Sequence, residues 1–89
     1  MSFEERFPDV EDVLENFWEL TPSEVRAFLL VGQGLSNKEI AGEMFLSPLT
    51  VRTHLKRCYE KLQLKGRARL AVAASRLMNH FGEVKDGEV

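Results

Sequence analysis

Three helix-start signals follow one another along the middle of the chain, and they leave room only for short helices. In "TPSE" Thr21 stands as N-cap, Pro22 takes the first helical position with its pre-set backbone angle, and Glu24 stands third, completing a capping box. "SNKE" repeats the signal with Ser36 and Glu39, and "SP" opens a further helix at Ser47 and Pro48. The stop signals fit between them. Gly32 and Gly34 in "GQG" end the first helix, Gly34 being the natural left-handed cap, and "LKG", Leu64 to Gly66, closes the third. A fourth helix is expected from Arg67 to about Phe81. No segment alternates apolar and polar residues as a strand would, and no hairpin dipeptide occurs, so the class is all-α.

At 89 residues the chain suits one domain with a single small core. Hydrophobic residues at 44% and charged residues at 29% are ordinary for a globular chain and argue against wholesale disorder. Cys58 is the one cysteine, which excludes an internal disulfide and suits a reducing compartment. No apolar run approaches the roughly 18 residues of a membrane span. The N-terminus "MSFEERFPDVED" is acidic where a leader would be basic. A cytoplasmic, nucleoid-associated location with no membrane partner is expected.

The net charge of −2 conceals a segregation. Up to Leu20, seven acidic residues face Arg6 alone; from Thr21 to Phe81, ten basic residues face Glu24, Glu39, Glu43 and Glu60; after Gly82 the balance is acidic again. The organisation read from this is an acidic amphipathic segment over residues 1–19, a basic body over 20–81 and an acidic flexible tail over 82–89. A basic body points to a polyanionic partner.

The basic charge gathers in "SPLTVRTHLKR". At about 100° per residue, Val51, Leu55, Cys58 and Leu62 fall within roughly 60° of one another and form a buried stripe. Opposite lie Leu49, Arg52, Thr53, Lys56, Arg57 and Glu60. Arg52 and Lys56, four apart, stand one turn above the other. A short helix, a tight turn and a longer helix with a cationic outer face describe a helix-turn-helix, whose second helix enters the major groove. Arginine can pair with guanine or clamp a phosphate, and Thr53 can meet a thymine methyl group.

These residues also carry a family resemblance. "LTPSE", "GLSNKEIA", "LSPLTVRTHL" and "KLQLKGR", in that order over about Leu20 to Leu77, resemble the successive signatures of the LuxR/GerE-type helix-turn-helix. The resemblance implies a four-helix DNA-binding domain of a bacterial transcription regulator. Its scaffold helix would start at Ser36, its recognition helix would run about Pro48–Leu62, and its fourth helix would serve dimerisation. By position, Arg52, Thr53 and Lys56 are implied as base contacts, and Lys38, Thr50 and Lys61 as phosphate contacts; Arg57, on the same basic face, is a further expected phosphate contact. Three departures stand out: Pro48 and Leu49 replace small or polar residues, which implies an unusual base preference at the start of the recognition helix. Cys58 replaces an aliphatic residue, and Gln63 a common glycine.

The fourth helix, "RARLAVAASRLMN", has small residues among its apolar ones, which would let a second copy approach. On this reading Leu70, Ala73, Ala74 and Leu77 form a homodimer interface that places two recognition helices about 34 Å apart on an inverted repeat. The N-terminal segment adds an amphipathic helix, with Val10, Val13, Leu14, Phe17 and Trp18 on its apolar stripe. It would pack on its own domain or across the dimer, compete with DNA for the basic face, or dock RNA polymerase or another regulator.

The expected function is sequence-specific binding of double-stranded DNA in transcription regulation. The alternative is a protein-interaction module, a co-regulator or anti-regulator with weak DNA affinity, to which the acidic ends point. An enzyme is not expected, since no phosphate loop, nucleophile elbow or paired-histidine motif occurs. His54, His80 and Cys58 have no metal-ligand spacing, and no cofactor is implied; Cys58 on the apolar stripe reads as a core residue. Most relatives of this type attach a receiver or ligand-binding domain, for which 89 residues leave no room. Control by abundance, partner or assembly is therefore expected.

Overall fold

The computed structural model describes the backbone of residues 10–87 and the side chains of residues 10–81. The acidic Glu4, Glu5 and Asp9 of the expected N-terminal segment, and the last two residues of the expected tail, lie outside the described residues. Five helices and no strand make up the described chain: α1 Val10–Phe17, α2 Pro22–Gly32, α3 Asn37–Met44, α4 Pro48–Leu62 and α5 Arg67–Gly87.

Each predicted start is made by the residues that signal it. Thr21 Oγ1 accepts from the Glu24 amide at 3.2 Å and Glu24 Oε1 accepts from the Thr21 amide at 3.0 Å. Ser36 and Glu39 exchange the same pair of bonds at 3.2 and 2.8 Å. Ser47 Oγ accepts from the Thr50 amide at 3.1 Å. Such caps contribute about 1 kcal/mol each. The Ser36 amide, and then the Ser36 hydroxyl, hold the Glu39 carboxyl below its usual pKa.

Three helices end in one kind of loop. The amide five residues on reaches back to a carbonyl across a left-handed residue: Leu35 to Leu30 over Gly34, Leu46 to Ala41 over Phe45, and Leu64 to Tyr59 over Gln63. Gly34 adopts φ +90° without strain, whereas Phe45 and Gln63 hold φ 57° with a side chain attached. Helix α5 corrects the expected tail. It runs on to Gly87, since Gly82, the one glycine between Phe81 and that end, costs only about 1 kcal/mol.

Helix α2 lies against both α4 and α5, and α3 packs on α4. Phe28, Val31, Ile40, Val51, Leu55, Leu62, Leu70 and Leu77 fill the space between them. At the crossing of α2 and α5 a Cβ on Gly32 would sit 2.6 Å from the Ala74 Cβ, so this glycine exists for close packing as well as for a helix end. Helix α1 packs on α4 and α5, with Val13 buried and the Phe17 ring 6.3 Å from that of Phe28. Trp18 departs from expectation. The helix stops at Phe17, so Trp18 leaves the register of the apolar stripe and is 81% exposed.

A charge sits inside this core. Glu24 is 1% exposed, and its Oε1 accepts from Lys61 Nζ at 2.7 Å in addition to the Thr21 amide. Its backbone oxygen accepts from Cys58 Sγ at 3.4 Å. Burial pushes the Glu24 carboxyl up, but the Lys61 bond, the Thr21 amide and the charges of Lys61 and Arg57 outweigh it, leaving the pKa below the usual value. For Cys58, burial and then the Glu24 charge push the thiol up to about 12, so it stays protonated at neutral pH.

The packing around Gly32 and Glu24 yields three stability predictions. Gly32→Ala should lower stability by about 1–3 kcal/mol through overpacking, while Gly42→Ala, with nothing within 4 Å, should raise it by about 0.5–1 kcal/mol. Chemical denaturation of both variants checks this, and shifts of the same sign would contradict the close crossing. Lys61→Met should cost about 1–3 kcal/mol by stranding Glu24, a range reduced because Lys61 is 30% exposed. Because folding lowers the Glu24 pKa, its contribution is complete above the unfolded value of about 4.3 and is lost as pH falls through the folded value. Acid unfolding of the parent should therefore be steeper below that pH than that of Glu24→Gln.

Candidate nucleic-acid interface

The rotation of α4 decides which of its residues can meet a partner. Val51, Leu55, Cys58 and Leu62 are buried, as the stripe predicts, and this turns Leu49, Arg52, Thr53, Lys56, Arg57 and Glu60 outward. The helix begins on Ser47 and Pro48, directly after the left-handed Phe45 and Leu46, so the turn from α3 is as tight as the sequence implies. Three cations thus stand on the exposed side of the first ten residues of α4. Glu60 lies further along the same side, where its negative charge bounds the cationic stretch.

The expected base contacts, Arg52, Thr53 and Lys56, lie together on this face and are exposed. Neither Arg52 nor Lys56 enters an ion pair among the described residues. The Thr53 hydroxyl donates to the Leu49 carbonyl at 3.2 Å, which commits its proton and leaves its lone pairs and methyl group to face outward partners. Of the expected phosphate contacts, Arg57 is exposed beside them, and Lys38 is exposed on the first turn of α3. Thr50 is half-buried, its hydroxyl 3.0 Å from that of Ser47. Lys61 stands apart from this set. Its ammonium is held by Glu24 at the back of α4 and neutralises a core charge.

The four residues expected at a dimer interface are placed differently. Leu70, Ala73, Ala74 and Leu77 are all buried in the chain's own core. They cannot meet a second copy while the core is intact. Among them the small Ala74 serves the close crossing with α2 at Gly32. The side of α5 opposite them carries Ala68, Val72, Ser75 and Asn79, of which Ala68 and Asn79 are exposed and the other two half-buried.

An open groove runs between the start of α3 and the outer side of α4, lined by Asn37, Leu49, Arg52, Thr53, Lys56, Tyr59 and Arg67 among others. Arg67 is the residue that the sequence reading left without a role. Its guanidinium donates to Asn37 Oδ1 at 2.6 Å and to the Leu35 carbonyl at 2.8 Å, tying the start of α5 to the loop before α3. The signal lay in "KGR", where an arginine follows the glycine that ends the α4 loop. Tyr59 forms the groove's inner wall; burial raises its phenol pKa, partly offset by the Arg67 charge, so it remains a hydroxyl at neutral pH. His54 is half-buried, and its Nδ1 has no hydrogen-bond partner among the described residues.

Comparison with known proteins places this geometry in a family. The family model described as bacterial regulatory proteins, luxR family, matches residues 19–74, which cover α2, α3, α4 and the first part of α5. A Mycobacterium tuberculosis protein named as an HTH-type transcriptional regulator is 51% identical over 57 residues, which are 64% of this chain and 6% of that protein. The spore germination protein GerE of Bacillus subtilis is 41% identical over 58 residues, 65% of this chain and 78% of GerE. The transcriptional regulatory protein LiaR of Bacillus subtilis is 39% identical over 62 residues, 70% of this chain and 28% of LiaR. The chain therefore spans only a small part of some relatives and most of another. With the match running over more than half of its length and over the helices that build the cationic face, the chain belongs to the luxR family of bacterial regulatory proteins.

Proposed function

We propose that this chain is a sequence-specific, duplex-DNA-binding transcription regulator that acts as a homodimer, with α4 in the major groove. The observation that carries the reading is the exposed face of α4, on which Arg52, Lys56 and Arg57 stand together, Arg52 and Lys56 without an ion pair among the described residues, on a helix-turn-helix of the luxR family. Arg52, Thr53 and Lys56 are proposed to meet base edges, and Arg57, Lys38 and Thr50 the flanking phosphates. Lys38 sits exposed on the first turn of α3.

The homodimer is proposed through the outward side of α5, along Ala68, Val72, Ser75 and Asn79, since the inward side is filled by the core. Half-sites about one helical turn apart would match two such recognition helices. A protein-interaction module is the second reading. It is favoured by the exposed Trp18 beside the acidic Glu11, Asp12, Glu15 and Glu19, a surface suited to RNA polymerase or another regulator.

Fluorescence anisotropy of a labelled mixed-sequence duplex, titrated at low and then higher salt, separates the two readings. If each protomer neutralises about four phosphates, log affinity should fall with log salt at a slope near about −7 for the dimer. Arg52→Ala should cost about 1–3 kcal/mol and relax preference at one base position, while Lys38→Ala should weaken all sequences alike. Absence of salt-sensitive binding by the folded protein would overturn the DNA reading and favour the second one.

A further inference from the structure

Leu49 stands exposed on the outer side of the first turn of α4, yet neither a phosphate nor a polar base edge can bond to it. It is the second residue of the helix and is 71% exposed. On an ideal helix it points about 150° away from the middle of the buried stripe. It is flanked on the same side by Arg52, Thr53 and Lys56, three, four and seven positions on, and it lines the same groove. Exposing so much of a leucine is unfavourable by itself, and a single exposed leucine elsewhere on a surface would need no explanation. Here the surroundings are specific. Cations on either side select a polyanion, and the Thr53 hydroxyl is turned back onto the Leu49 carbonyl at 3.2 Å, so Leu49 and Thr53 together form an apolar strip between charges.

We infer that Leu49 is a specificity-determining residue that reads the C5-methyl group of a thymine in the major groove. The inference rests on the DNA-binding reading above and adds to it the base that this position selects. The major groove presents one apolar feature, the thymine methyl, and the N-terminal residues of a recognition helix are those that reach base edges. A leucine there buries its side chain against that methyl group and gains nothing from cytosine, guanine or adenine. Arg52 and Lys56 hold the helix in the groove at a depth that brings Leu49 to the base.

The test starts from duplexes selected out of a random pool by the full-length protein and by Leu49→Ala, whose exposed position leaves the fold intact, as an unchanged thermal midpoint would confirm. The parent should select thymine at one position of each half-site, and Leu49→Ala should lose that preference while keeping the others. Replacing that thymine by deoxyuridine removes only the methyl group. This should weaken the parent by about fourfold per half-site and leave Leu49→Ala unaffected, while Leu49→Met should retain the preference. An unchanged selected sequence for Leu49→Ala, or a deoxyuridine loss as large in Leu49→Ala as in the parent, would overturn the inference while leaving DNA binding standing. If the folded parent retains no duplex from the pool at low salt, the DNA reading and this inference fall together.

Discussion

The ion pair between buried Glu24 and half-buried Lys61 is the constraint on which the rest of the structure depends. One carboxylate oxygen closes the cap of α2 through the Thr21 amide and holds the last turn of α4 through Lys61. The same residue's carbonyl takes the Cys58 thiol one turn earlier on α4. Two of these three bonds, from Lys61 and Cys58, join the start of α2 to the inner side of α4. They fix the rotation of α4, and that rotation turns Arg52, Thr53, Lys56 and Arg57 outward. A carboxylate so buried is costly unless compensated. Its second oxygen has no hydrogen-bond partner among the described residues, which makes Lys61 the more necessary. The lysine also ends α4 where a positive charge suits the helix dipole.

Turn geometry sets the angle between the helices that the pair holds together. Phe45 closes α3 in the left-handed region and is 93% exposed, two unfavourable features in one residue. A left-handed conformation costs a non-glycine residue about 1–2 kcal/mol. The backbone bond from Leu46 to Ala41 and the burial of Ile40, Ala41 and Val51 on either side of the turn offset it. Gln63 carries the same conformation at the far end of α4. The α4 face is therefore bounded by two left-handed residues, and its length is set by backbone geometry as much as by charge.

Local signals made much of this legible. The caps at Thr21, Ser36 and Ser47 form within four residues of sequence, and the buried stripe of α4 is a matter of period; both are present as expected. Gly34 announced its loop because glycine favours positive φ, whereas Phe45 and Gln63 did not, because neither residue type prefers it. The Glu24–Lys61 pair joins residues 37 positions apart, and each half had another meaning in the sequence: a capping-box acid and an implied phosphate contact. Leu70, Ala73, Ala74 and Leu77 read as a dimer surface because small residues suit any close helix crossing. Only the position of α2 shows that the crossing is internal. Trp18 fits the apolar period of α1, and what removed it from that stripe was the end of the helix at Phe17. Arg67 acquires its role only when the loop at Leu35 and Asn37 is brought beside it.

The central claim is that the outer face of α4, supported by the first turn of α3, is the surface that meets duplex DNA. Mapping backbone amide shifts by NMR while a short duplex is added tests it most directly. The account predicts that the largest changes fall on residues 47–57 and 36–38, with α1 and the outward side of α5 little affected. Changes centred on α1 and Trp18, or none along α4, would contradict it.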